Sequence, residues 1–214
     1  MGTRKLYYDD TYLREFSAKV VSIAGREVTF DATAFYPSGG GQVCDTGAMG
    51  SVRVVAVRKT DDEIIHELEA EPPFQIGQEI GCSIDWDKRY RIMKLHSAAH
   101  IVYYVMREVF GASPASSGLV DQEKDRNDYL FEAPIDRQKL VEVDKKVNAV
   151  IASNLPVDTW SEGETRYWRI APYPVMKCAG THVKNTSEIG PVRVERGKKP
   201  GKGKERIETT LLSA

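Results

Sequence analysis

Cysteine is scarce: three residues, Cys44, Cys82 and Cys178, in a chain of 214. So few, and an odd number, exclude a disulfide framework and fit a reducing compartment. No run of 18 apolar residues occurs, so no membrane-spanning helix is expected. The opening Met1-Gly-Thr-Arg-Lys-Leu-Tyr-Tyr-Asp has no apolar signal core, which points to a cytoplasmic protein. Net charge is scarce as well. Lysine and arginine number 30 against 31 acidic residues, so whole-chain charge neither favours nor excludes a nucleic-acid partner, and the distribution has to decide. There is no internal repeat, and no low-complexity tract longer than Lys198 to Lys204. What remains is an ordinary globular composition, 41% hydrophobic and 29% charged.

The first part of the chain is patterned as short strands. Phe16–Ile23 and Glu27–Phe30 flank Ala24-Gly25-Arg26, a hairpin signal. Val52–Arg58 and Glu63–Leu68 form a second hairpin, and Gly77–Trp86 closes the region. Five or six strands with turns at this spacing predict a small β-barrel over residues 1–88. From about Arg89 to Phe110 the period changes. Ile92, Leu95, Ala99, Val102, Met106 and Val109 recur at helical spacing, with Asp87 as N-cap and Gly111 just past the end. A second helix is expected from Arg137 to Ser153, capped by Asp136 and ended by Asn154 and Pro156. Strands are expected near Leu119–Asp121, Asp128–Glu132, Val157–Trp160, Val192–Glu195 and Arg206–Leu212. The fold class is therefore α+β: an N-terminal barrel, then residues 89–214 with an antiparallel sheet and two long helices.

Two of the four histidines, His96 and His100, lie four residues apart on the first long helix and share one of its faces. Far downstream, Cys178-Ala-Gly-Thr-His182 places a thiol and an imidazole around a glycine. Zinc prefers thiolate and imidazole in tetrahedral sites, and these four side chains would complete one. Ser97 follows the first histidine where a zinc protease carries its glutamate, so that general base is missing from its usual place. Two other readings stand beside a metal site. His96 and His100 would serve as hydrogen-bonded helix residues, and Cys178 with His182 as a nucleophile and its base. Four protein ligands describe a closed site, which leaves open whether the ion is structural or catalytic.

Two further stretches carry chemistry. Ser38-Gly39-Gly40-Gly41-Gln42, followed by Asp45 and Gly47, cannot be regular structure. The glycines suit a barrel turn or a close approach of backbone to ligand, and Gln42 would order a water or a carbonyl without adding charge. Between residues 193 and 206, seven basic residues face two acidic ones, with Gly197, Pro200, Gly201 and Gly203 at the tip. Lys198, Lys199, Lys202, Lys204 and Arg206 suit contact with phosphates, the plainer alternative being a solvated loop. No regular interleaving of aromatics accompanies them.

Taken together, Phe35-Tyr-Pro-Ser-Gly-Gly-Gly-Gln-Val-Cys-Asp-Thr-Gly47, His96-Ser-Ala-Ala-His100, Cys178-Ala-Gly-Thr-His182 and Gly190-Pro-Val-Arg-Val with Gly201-Lys-Gly-Lys-Glu-Arg-Ile resemble the free-standing alanyl-tRNA editing proteins. These are similar to the editing domain of alanyl-tRNA synthetase, and order and spacing match over nearly the whole chain. The glycine motif and barrel resemble the medium-length class. The resemblance implies hydrolysis, in trans, of tRNA(Ala) mischarged with serine, or with glycine. It implies Zn2+ on His96, His100, Cys178 and His182, a site role for Gln42, a monomer, and no use of ATP. A non-enzymatic, zinc-stabilised tRNA-binding module is the alternative, and a hydrolase using Cys178 as nucleophile a third. Because serine exceeds alanine by a hydroxyl, the pocket must reward that hydroxyl. Ser116 and Ser117, with Thr33, are the expected liners beside Gly39, Gly40 and Gly41.

Overall fold

The computed structural model describes residues 2–61, 63–111, 117–131 and 134–212. The chain divides into two units between Tyr90 and Arg91. In the first, strand β1 (Arg4–Lys5) leads into a single helical turn, α1 (Leu6–Asp9), then β2 (Glu15–Ala24), β3 (Glu27–Phe30), β4 (Ala32–Thr33), β5 (Gly47–Met49), β6 (Val52–Lys59), β7 (Ile64–Leu68) and β8 (Glu79–Ile84). Six of these close into a barrel in the order β2-β3-β7-β6-β5-β8, every pairing antiparallel. β1 pairs with β4 in parallel outside it. Alternation drives the closure: Ile64, His66 and Leu68 of β7 point inward, with the residues between them only half-buried. The turn from β2 to β3 uses Gly25 at φ 62°. At Gly47, where β5 meets β8, a Cβ would lie 2.1 Å from the Ser83 carbonyl oxygen and 3.0 Å from the Phe35 ring.

His66 fills the barrel interior with no exposed surface. Its Nδ1–H donates to the Val28 carbonyl at 3.2 Å, which leaves Nε2 to accept the Thr33 hydroxyl at 2.9 Å. Thr33 Oγ1 in turn accepts the Phe35 N–H at 3.1 Å. Burial lowers the His66 pKa to about 4, so the ring is neutral.

Helix α2 (Trp86–Phe110) continues into the second unit, followed by β9 (Ser117–Val120), β10 (Asp125–Leu130), α3 (Arg137–Ala152), β11 (Asp158–Glu162), β12 (Thr165–Arg169), β13 (Met176–Lys177), β14 (Val192–Arg196) and β15 (Lys204–Leu211). One antiparallel sheet has the order β14-β15-β10-β9; a second, β11-β12-β13, is also antiparallel. The class is α+β, with barrel, antiparallel sheets and two long helices. The Asp136 carboxylate caps α3 by accepting from the N–H groups of Gln138 and Lys139. The start of α2 differs from expectation. Asp85, not Asp87, is its cap, accepting the Lys88 N–H at 3.4 Å on its side chain and the Arg89 N–H at 3.0 Å on its carbonyl. Asp87 lies in the first turn, where a carboxylate suits the helix dipole. β1, β4, β5, β12 and β13 are strands that periodicity did not single out.

Candidate metal centre

The second unit assembles its histidines and one cysteine from two directions. α2 supplies His96 and His100 one turn apart. The other pair follows β13: the Cys178 N–H donates to the Arg166 carbonyl at 3.0 Å, extending the β12–β13 pairing by a residue. The ligand atoms of His96, His100, Cys178 and His182 all lie within 4.8 Å of one another. Cys178 Sγ is 3.5 Å from His96 Nε2 and 3.2 Å from His182 Nε2. The three imidazole centroids are 4.4 to 5.0 Å apart. Trp168, fully buried on β12, packs 4.7 Å from His100 and closes one side.

Protonation follows from burial. Desolvation lowers His96 to about 4, and it pushes His100 and His182 well below the ordinary histidine value, helped by the neighbouring rings. Burial also raises the Cys178 thiol to about 11, against a backbone hydrogen bond from Gly180 and the charge of Arg166. Without an ion the site thus holds neutral imidazoles and a neutral thiol, not the thiolate–imidazolium pair that a cysteine nucleophile needs. Neutral imidazole is the metal-binding form. Among the described residues, His100 Nε2 is buried with no hydrogen-bond partner, a costly state that a bound cation would relieve. Three imidazoles and a thiol gathered this closely fit a tetrahedral N/S ion.

Ser97 has a part that its residue type alone did not suggest. Its Oγ accepts the Val183 N–H at 3.2 Å and stands 3.1 Å from His182 Nδ1. With Nδ1–H donating to that oxygen, the His182 Nε2 lone pair is turned to the cluster. A serine next to His96 and followed by two alanines, Ser97-Ala98-Ala99, was the available signal.

The remaining candidate residues fall on several elements. Gln42, 1% exposed, belongs to the first unit. Its main chain exchanges two 3.0 Å hydrogen bonds with Gly39, and Gly40 and Gly41 make the turn at φ 58° and 81°. The loop is anchored by a buried ion pair. Asp45 Oδ1 accepts Arg89 Nε at 2.8 Å, while Oδ2 accepts Arg89 Nη2 and, at 2.5 Å, the Tyr36 N–H. Arg89 also reaches the carbonyls of Thr11 at 3.0 Å and Ala34 at 2.6 Å. Thr33 is committed to His66, as described above. Ser117 donates to Asp128 Oδ2 at 3.2 Å, and Ser116 lies outside the described residues. On the basic hairpin, Lys198 and Lys202 are exposed, and Lys204 is half-buried at the first position of β15. Lys199 reaches Glu205 at 3.1 Å, and Arg206 grips Asp128 at 2.7 and 3.0 Å.

The chain has relatives among known sequences. The family described as "Threonyl and Alanyl tRNA synthetase second additional domain" matches residues 169–208, and "tRNA synthetases class II (A)" matches residues 6–88. These place the chain among proteins built from synthetase-type modules. The alanyl-tRNA editing protein AlaX-M of Pyrococcus horikoshii is 36% identical over 213 residues, 98% of each chain. That of Methanosarcina acetivorans is 35% identical, over 98% of this chain and 99% of its own. The alanine–tRNA ligase of Ignicoccus hospitalis is 32% identical over 96% of this chain, which spans only 26% of the ligase. The chain belongs to the family of alanyl-tRNA editing enzymes. Among the described residues, no helix is long and apolar enough to cross a membrane.

Proposed function

We propose that this chain is a trans-acting hydrolase that removes serine, or glycine, from mischarged tRNA(Ala). It acts as a cytoplasmic monomer without ATP, with one Zn2+ held by His96, His100, Cys178 and His182. Residues 1–88 form the domain with the glycine motif, and residues 89–214 the zinc-containing editing domain. The observation that carries this is the close four-donor cluster, in which His100 Nε2 has no hydrogen-bond partner among the described residues.

The bond cleaved is the ester joining the amino acid to the terminal ribose. Water adds to the carbonyl, the acyl C–O bond breaks, and the ribose hydroxyl leaves with a proton. When bound, zinc supplies Lewis-acid polarisation or orientation of a substrate oxygen. The protein holds the three imidazoles neutral by burial, and Ser97 fixes the face that His182 presents. The Gln42 amide orients the water or the ester carbonyl, and Gly39, Gly40 and Gly41 leave room for substrate beside the backbone. Selection of serine over alanine needs a polar partner for the extra hydroxyl. Ser116 or Ser117 takes that role, with Thr33 in support. Lys198, Lys199, Lys202, Lys204 and Arg206 face the tRNA backbone.

Incubating the purified protein with Ser-tRNA(Ala) and Ala-tRNA(Ala), alongside metal analysis, tests this. Serine should be released faster than alanine, with one zinc per chain. Cys178→Ala should lose metal and hydrolysis together, and Gln42→Ala should lose hydrolysis while keeping zinc and its melting profile. A metal-loaded protein that binds Ser-tRNA(Ala) and releases no serine would overturn the proposal.

A further inference from the structure

The hairpin of β14 and β15 holds the local excess of positive charge, yet several of its cations are held by carboxylates. Glu205, 1% exposed, accepts from Arg196 Nε at 2.7 Å and from Lys199 Nζ at 3.1 Å. Asp128 receives Arg206 through two hydrogen bonds. These cations are paired at the turn end of the hairpin, which restricts their side-chain freedom.

Beside it, α3 and β14 border a groove of about 460 Å³ whose lining includes Arg137, Arg193 and Arg196. Leu140 and Val141 supply apolar surface, with Val141 55% exposed. Two carboxylates, Asp144 and Glu195, also line it. Asp144 is largely committed: Oδ1 accepts the Val194 N–H at 2.7 Å, and Oδ2 stands 3.9 Å from Arg193. Arg137 is the first residue of the 16-residue helix α3, at the positive end of its dipole. Among the described residues it has no ion-pair partner. The groove therefore presents guanidinium groups, two of them weakly paired or unpaired, on a rigid helix–strand frame in a protein with net charge −1. This chemistry fits phosphodiester oxygens, which accept paired N–H bonds from a guanidinium fork.

We propose that this groove, and not the hairpin tip alone, is a preformed site for the RNA sugar–phosphate backbone. Arg137 and Arg193 are its phosphate contacts, and Glu205 is a positioning residue that sets Arg196 in the groove lining. The occupant is tRNA, so the proposal rests on the function stated above.

The test is equilibrium binding of uncharged tRNA to the full chain across a series of KCl concentrations. Arg137→Gln with Arg193→Gln, both at exposed positions, should weaken binding several-fold. The slope of log K against log salt should become shallower by about 1.4 to 1.8, at roughly 0.7 to 0.9 for each phosphate no longer neutralised. Glu205→Gln gives a test of sign. Deleting a negative charge should tighten RNA binding if charge count rules, whereas loss of positioning should weaken it several-fold. Tighter binding by Glu205→Gln, or wild-type affinity and slope in the double arginine variant, would overturn the groove. Hydrolysis assays keep the two levels apart. Wild-type protein that cannot deacylate Ser-tRNA(Ala) counts against the proposed function. An arginine variant that deacylates it with unchanged KM counts against the groove alone.

Discussion

Replacing Asp45 with asparagine should unseat the glycine loop and destabilise the barrel unit. The carboxylate has three donors to satisfy, two from Arg89 and one from the Tyr36 N–H, and it divides them between two oxygens. An asparagine keeps one oxygen. Whichever way its amide turns, an N–H is set against another N–H, and the Arg89 guanidinium, with no exposed surface, loses its counter-charge. Breaking one side of a buried ion pair costs about 3–5 kcal/mol, because the remaining charge stays desolvated. At about 2–4 °C per kcal/mol for a chain of this size, Tm should fall by at least about 6 °C, and further if the first unit melts by itself. Thermal scans by circular dichroism and urea titrations would measure this, with a lower urea midpoint at unchanged m-value as the signature of lost stability. Arg89→Lys is the companion test. It keeps the charge but lacks the fork that reaches Asp45, Thr11 and Ala34 together, so it should also destabilise. A Tm within about 2 °C of wild type for Asp45→Asn would refute the assignment of this pair as the anchor of the loop.

Two other outcomes follow from buried polar groups. Ser97→Ala removes the hydrogen-bond partner of His182 Nδ1, and zinc affinity, measured by competition with a chromophoric chelator, should drop about 10–100-fold; an unchanged affinity would show that the ring needs no such support. His66 carries a pH signature. Its folded pKa is depressed to about 4, so between that value and its unfolded pKa only the unfolded chain takes up the proton. Its contribution is complete above the unfolded pKa, about 6.5, and is lost as pH falls towards 4, about 3 kcal/mol in all. Urea stability between pH 7 and 4 should therefore fall more steeply for wild type than for His66→Gln, and equal slopes would show that the buried ring does not titrate.

Much of the architecture was legible because its signals are local. Gly25 between two alternating runs, Asp136 before a helical stripe, and Gly111 beyond α2 each act within a few residues. The gathering of His96 and His100 with Cys178 and His182 was legible for another reason: few residue types bind soft metals, and the chain has hardly any to spare. What stayed hidden depends on distant partners. Thr165–Arg169 is a strand with aromatic residues on both faces, Tyr167 stacked on Trp160 and Trp168 against His100, so no alternation of polar and apolar residues reveals it. Arg89 looks like any surface arginine until Asp45 is folded against it. The charge of residues 193–206 cannot show that Glu205 and Asp128 hold part of it in place. Asp87 and Asp85 are equally good caps by residue type, and only the backbone decides between them.

The glycine at position 47 has a consequence outside chemistry. A closed barrel leaves no strand edge for another chain to pair with. Any side chain at Gly47 would meet the Ser83 carbonyl at 2.1 Å and force β5 away from β8, turning two closed strands into two open ones. Such a variant would keep every proposed metal ligand and lose its solubility. In a cell it would register as low abundance, through aggregation and proteolysis of the opened barrel. Change at this position is therefore screened by protein quality control before the editing reaction is ever tested.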